Sequence, residues 1–252
     1  MQILCVVLKR VREFLKSLRF LSLKDDAIFI ADAHLNSKNL EFEFFLEKLH
    51  SKEITTSQLI LMGDIFDFIS GESKYFIKLY KKSLDLLNKL SIQMEIIYLE
   101  GNHDYNMQTL FPNIKVFKIE QQPVKMKFNN EIIALSHGDN FVGGAYKLYT
   151  KIIRNHQLLV FLNMIDFGNF ISKKIENALL GKVICRDFNG FENFAKRRLS
   201  NYNEKIVIEG HYHQGKTVEN NGKTYINIPS LTCQKEYVKM NQNSFTRLKI
   251  EL

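Results

Sequence analysis

No run of about 18 or more apolar residues occurs in the 252 residues, so no membrane-crossing helix is expected. Cysteine is scarce and odd in number. Cys5, Cys185 and Cys233 lie far apart, which argues against a disulfide framework or a zinc knuckle and suits a reducing compartment. No secretory signal is expected either: no charge precedes the short apolar run at the start, and no small-residue cleavage site follows it. Repeats and low-complexity tracts are missing. Acidic charge is in deficit, with 27 Asp and Glu against 35 Lys and Arg, a net charge of +8.

What remains is an ordinary globular balance, 45% apolar and 25% charged, in a chain long enough for one large domain or one domain with an insertion. The excess of positive charge is local. Residues 1–24 hold six basic side chains with Glu13 as their one acid, and residues 145–200 hold ten basic and four acidic ones. Both segments interleave charge with Leu, Ile and Phe, and both lack the aromatic spacing of a single-strand groove. That favours an anionic membrane surface or a lipid over nucleic acid. In the leader, Leu4, Leu8, Val11, Leu15 and Leu18 form a helical stripe opposite a basic face. Residues 1–24 are therefore expected as an amphipathic helix, either on a membrane or packed on the domain formed by 25–252.

From residue 27 the pattern reads strand (AIFIA), helix (LEFEFFLEKLH), strand (SQLILMG), one long helix (SKYFIKLYKKSLDLLNKL) and strand (QMEIIYLEG), which predicts a mostly parallel sheet covered by helices. A hairpin turning at Asn129-Asn130 follows, then a helix-rich segment at about 145–200. Strand EKIVIEG, a hairpin turning at Asn221-Gly222 and strand SFTRLKI close the chain.

Metal-competent residues recur at the strand ends. Asp32 and His34 follow the first strand, Gly63-Asp64-Ile65-Phe66-Asp67 the second, and Gly101-Asn102-His103-Asp104 the third. His137-Gly138-Asp139 and Gly210-His211-Tyr212-His213 follow later ones. Five of the seven histidines fall in these clusters, with only His50 and His156 outside. In open α/β sheets a site forms beyond the carboxyl ends of the strands. In extended chain, residues i and i+2 point to one side, so Asp32 with His34 and His211 with His213 can each offer two ligands. Asp64 is the candidate carboxylate bridging two cations about 3.5–4 Å apart, and Asn102 and His137 complete the shell. The oxygen and nitrogen donors suit manganese, iron or zinc.

The ordered set D-x-H, G-D-x-x-D, G-N-H-D, H-G-D and G-H-x-H resembles the calcineurin-like metallophosphoesterase superfamily over residues 27 to about 230. The resemblance implies an αββα sandwich with two divalent metal ions. One would be held by Asp32, His34, Asp64 and His213, the other by Asp64, Asn102, His137 and His211. It makes His103 the catalytic residue meeting the phosphate or the leaving oxygen, with Asp104 orienting it and Asp67 and Asp139 in supporting roles.

The segment after H-G-D proposes two apolar helices, read either as a helical hairpin packed on the sheet or as a cap over the metals. Ala145-Tyr146, Arg154-Asn155-His156, LLVFLNMIDF and Lys173-Lys174 resemble, in this order, the helical lid of UDP-2,3-diacylglucosamine pyrophosphatases of lipid A synthesis. That family hydrolyses its UDP-linked diacylated glucosamine to UMP and lipid X, usually with manganese, from the cytoplasmic face of the inner membrane. The resemblance names Tyr146, Arg154, Lys173 and Lys174 as substrate contacts. Gly-Asn-His-Asp stands here where typical members have Gly-Asn-Arg-Asp, which indicates a divergent branch. A nuclease or nucleotide phosphodiesterase of the same superfamily, and a scaffold that has lost its metals, are the rival readings.

Overall fold

A computed structural model describes residues 21–141, 143–241 and 244–251, without the side chains of 145–147 and 149. The expected leader helix therefore falls outside the described residues as far as residue 20. Its last residues do not continue a helix, because Leu21–Ser22 form an edge strand and Leu23 is buried.

In chain order the strands are β1 (Leu21–Ser22), β2 (Ile28–Ile30), β3 (Gln58–Leu61), β4 (Ile69–Ser70), β5 (Glu95–Leu99), β6 (Asp104–Tyr105) and β7 (Lys115–Phe117). Then come β8 (Val124–Phe128), β9 (Glu131–Ser136), β10 (Ile206–Glu209), β11 (Thr217–Asn220), β12 (Lys223–Asn227), β13 (Glu236–Asn241) and β14 (Ser244–Lys249). The helices are α1 (Glu41–His50), α2 (Lys74–Leu79), α3 (Lys81–Leu90), α4 (Gly144–Ile153), α5 (His156–Ile165), α6 (Phe170–Leu180), α7 (Phe191–Arg198) and α8 (Leu231–Gln234).

Two six-stranded mixed sheets form. One runs β14-β13-β2-β3-β5-β7 and the other β1-β8-β9-β10-β12-β11. Alternation along each strand sorts the side chains into layers. Ile28 and Ile30 join Leu59, Leu61, Ile96 and Tyr98 under α1, α2 and α3, together with Phe42, Phe45, Phe76 and Leu87. The intervening Phe29, Ile60 and Ile97 face Met126, Ile133, Leu135, Ile208 and Ile226 of the other sheet. On the far side Ala134, Val207 and Tyr225 pack on Phe191 and Ala195 of α7 and on Leu199 just past its end. The result is the αββα sandwich expected.

Two helical segments are divided more finely than their periodicity predicts. The long helix breaks at Tyr80 (φ −96°, ψ 16°), whose buried ring packs on both Phe66 and Phe76. The lid carries three helices over 144–180 instead of two. Asn155 caps α5 by accepting from the Leu158 amide, while Gly168 and Asn169 turn left-handed and Asp166 accepts from the amides of Ile171 and Ser172 ahead of α6.

The cysteines are a second departure. Cys185 and Cys233 form a disulfide, although their wide spacing pointed away from one. Forty-eight residues separate them, and only the fold brings the loop after α6 against α8.

Candidate metal centre

The strands β2, β3 and β5 run parallel, as do β9 and β10 in the facing sheet, so their carboxyl ends open on one edge. Each motif begins within two positions of those ends. A short parallel ribbon ties two motifs together, since β4 follows Asp67 and pairs with β6, which begins at Asp104.

Local backbone presents the ligand atoms in an unexpected way. The extended i, i+2 geometry does not apply. Asp32, His34, Asp64, His211 and His213 all sit at positive φ, between 41° and 66°. Non-glycine residues rarely adopt this conformation, and it persists only where the surroundings over-determine it, commonly at functional sites. Here the strand stops and a left-handed residue turns each side chain into the cleft. Glycine makes room beside them. A Cβ on Gly101 would lie 2.2 Å from Asp64 Oδ1, and one on Gly63 would lie 2.5 Å from His137 Nδ1.

Two groups of donors form from the expected ligands, and a third borders them. Asp32, His34 and His213 bring ligand atoms within 4.8 Å of one another, so do Asp64, His137 and His211, and so do His34, Asp67 and His103. In the first, His34 Nε2 faces His213 Nε2 at 3.4 Å, and His213 Nε2 lies 3.3 Å from Asp32 Oδ1. In the second, His137 Nε2 has Asp64 Oδ2 at 3.5 Å, Asn102 Oδ1 at 3.3 Å and His211 Nδ1 at 3.1 Å. Two of the outer ring nitrogens are spoken for, whereas His34 Nδ1 is buried 3.6 Å from Asp67 Oδ1 without a hydrogen bond. His137 Nδ1–H donates to the Met62 carbonyl (2.9 Å) and His213 Nδ1–H to that of Ile184 (3.1 Å), which leaves both Nε2 lone pairs facing inward in the neutral rings.

A single proton cannot satisfy so many converging acceptors. Asp32 Oδ1 is buried without a hydrogen-bond partner. This donor set fits divalent cations. Burial alone would raise the Asp64 carboxyl, but His137 and His103 hold it well below the usual carboxylate range. Burial opposes charge on His137, yet Asp64 and Asp139 raise it well above an ordinary imidazole; Asp32 raises His213 in the same way against its burial. Burial, then the His137 cation, pushes His211 down to about 4.

His103 borders the first group, its ring 5.2 Å from that of His34, centroid to centroid. Its Nδ1–H donates to the Asp67 carbonyl at 2.5 Å. Asp104 does not orient this imidazole. Its carboxylate accepts from the amides of Asp64 (3.0 Å), Ile65 (2.7 Å) and Gly101 (2.8 Å) and from the Tyr98 hydroxyl. Three backbone N–H groups converge on it because the loops after β3 and β5 have no ladder to use them. Asp104 therefore shapes the loop that carries Asp64. Asp67 accepts from Asn36, and Asp139 pairs with Arg154 at 3.2 Å.

The lid meets the site through Arg154. Its Nη2 donates to the Gly101 carbonyl at 2.7 Å, while Nε and Nη1 are buried without partners. Lys173 and Lys174 are exposed on α6, Lys174 lying over Phe170. Neither makes a hydrogen bond or ion pair to the acid–histidine groups among the described residues. The Tyr146 side chain lies outside them. Sequence reasoning missed Gln122, whose Oε1 accepts from the His137 amide at 2.6 Å, and the pair formed by Arg198 and Glu209. A carboxylate closing the otherwise apolar strand Ile206–Glu209 was the available signal for the latter.

The chain is similar to several known proteins. A family model described as calcineurin-like phosphoesterase matches residues 27–215. A UDP-2,3-diacylglucosamine hydrolase of Blochmanniella pennsylvanica is 24% identical, covering 84% of this chain and 90% of that protein. One of Proteus mirabilis is 26% identical, covering 79% and 87%. One of Histophilus somni is 22% identical, covering 74% and 83%. Among solved structures, Yfce, a phosphoesterase from E. coli, aligns at 15% identity with a TM-score of 0.45 over 90% of this chain and 100% of that one.

Proposed function

Since this chain belongs to the calcineurin-like phosphoesterase family and is a metal-dependent hydrolase, we propose that it hydrolyses the pyrophosphate of UDP-2,3-diacylglucosamine to UMP and 2,3-diacylglucosamine 1-phosphate. The convergence on His137 Nε2 carries the hydrolytic part of this reading. The names of the relatives support the substrate. On this reading Asp32, His34, Asp64 and His213 hold one divalent ion and Asp64, Asn102, His137 and His211 the other, manganese being the first choice and iron or zinc the others. Such a pair, once bound, supplies Lewis-acid polarisation of the phosphate and an acidified water.

The remaining work belongs to the chain. Asp104 and the left-handed turns fix where Asp64 stands. His103, pinned through Nδ1, keeps Nε2 available to hold a proton for the departing oxygen. Arg154 has unspent N–H groups for a phosphate oxygen, and it reaches the site from the lid, so a closed lid and an armed site coincide. The lid's outer surface suits acyl chains: Leu148, Phe161, Met164, Phe167 and Phe170 are all exposed. No helix among the described residues is long and apolar enough to cross a membrane. The apolar lid face and the basic excess support a peripheral position on an anionic membrane surface, which on this reading is the cytoplasmic face of the inner membrane.

The test is incubation with UDP-2,3-diacylglucosamine and manganese, scored for UMP, beside a generic phosphodiester and single-stranded DNA. UMP release well above either control is expected. Cleavage of the diester or DNA alone would replace this substrate with a nucleotide or nucleic acid, and no cleavage of anything would favour a scaffold.

A further inference from the structure

Behind the second group of ligands lies a buried ion pair that no motif announced. Arg198 ends α7 at 6% exposure, and Glu209 ends β10 at 0%. Arg198 Nε donates to Glu209 Oε2 at 2.9 Å and Nη2 to Oε1 at 3.0 Å. The same guanidinium donates to the Gly138 carbonyl (2.7 Å), to the Asn140 carbonyl (2.8 Å) and to Asn140 Oδ1 (2.5 Å). Glu209 also accepts from the hydroxyls of Ser136 (3.0 Å), Tyr225 (2.6 Å) and Tyr202.

The placement matters more than the count. Gly138 directly follows His137, and Glu209 stands two residues before His211. One guanidinium thus joins the two loops whose imidazoles face each other at 3.1 Å. Of the first group, Asp32 and His34 come from the other sheet and have no bond to this pair, while His213, on the same loop as His211, is held separately through its Nδ1–H on the Ile184 carbonyl at 3.1 Å. A buried ion pair adds little net stability compared with apolar residues of similar volume, so its worth must be sought elsewhere. We infer that Arg198 and Glu209 form a positioning unit for the His137–His211 half of the centre, setting the affinity of the second divalent ion while leaving the first nearly untouched. The inference rests on the two-ion reading above, and wild-type protein tests that reading separately.

The experiment titrates manganese into metal-free full-length protein and follows stoichiometry, the two affinities and the spin-coupled resonance signal of a manganese pair. Wild type, Glu209→Gln, Arg198→Met and the double variant are compared, each with its thermal unfolding midpoint. Wild type must bind two ions; if it does not, the two-ion reading fails and the inference with it. Given two, Glu209→Gln is expected to weaken the second by about ten- to hundred-fold and to erase the coupled signal, with the first within about threefold. The double variant removes both charges, so its midpoint should recover towards wild type while the second affinity stays low. A double variant that regains the second ion along with its stability would show a purely structural pair, as would single variants whose two affinities fall together. Should the single variants not fold, the double variant alone decides.

Discussion

Replacing Asp104 with Asn separates two roles for this carboxylate. Four donors converge on it: the amides of Asp64, Ile65 and Gly101 and the Tyr98 hydroxyl, two on each oxygen. The side chain is 0% exposed. An asparagine keeps one oxygen and turns an NH2 towards the other two donors. Its best arrangement faces the NH2 to Tyr98, whose hydroxyl can turn and accept, and this strands the Ile65 amide. Bonds to a charged group are worth about 1.5–3 kcal/mol and neutral ones about 0.5–1.5 kcal/mol. One charged bond is lost and the others weaken, so about 3–4 kcal/mol of stability should go, or about 10 °C of melting temperature for a chain of this size. Because the stranded amide adjoins Asp64, manganese affinity should fall as well. Urea unfolding of metal-free protein and a manganese titration measure both effects. If Asp104→Asn instead loses less than about 1 kcal/mol, keeps its metals and is merely slow, then Asp104 acts on His103 and the loop-shaping argument is wrong.

His103→Ala should retain manganese but turn over about 100-fold more slowly or worse, as expected for a proton donor or phosphate clamp; unchanged kcat would remove His103 from the chemistry. Reduction, or Cys185→Ser, opens a 48-residue loop and should lower stability by up to about 4 kcal/mol, read as a shifted urea midpoint with and without dithiothreitol; coincident midpoints would deny the cross-link. Against their burial, carboxylates push His137 and His213 up, which favours the protonated rings in the metal-free protein, and a metal needs their lone pairs. Ion uptake should therefore release protons and weaken as pH falls, and calorimetric enthalpies should depend on the buffer's own ionisation heat. Buffer-independent enthalpies would contradict this.

Much of the layout could be read in the chain because it is written locally. An apolar strand ending in Asp or His beside Gly marks a site edge, and Asn221-Gly222, at φ 50° and 71°, is the hairpin turn its composition predicts. What escaped depends on contacts distant in sequence. Nothing near Cys185 points to Cys233, and nothing near Arg198 points to Gly138 or Glu209. The helix break at Tyr80 follows from where its ring is buried, which periodicity cannot register. The left-handed ligands are the sharper lesson. The structure brings Asp32 and His34 close together with His213, but not by the extended geometry that their spacing predicts, since the strand ends at Ile30 and both residues turn left-handed. Lys173 and Lys174 entered as substrate contacts through resemblance alone, and they lie exposed on α6.

The central claim is that Asp64 stands between two donor groups that together hold two divalent ions. Manganese stoichiometry on wild type and on Asp64→Asn tests it most directly. Two ions per wild-type chain, with a spin-coupled signal, and one or none after the substitution is the predicted result. A wild type that binds one ion or none, or an Asp64→Asn chain that still binds two, would contradict it.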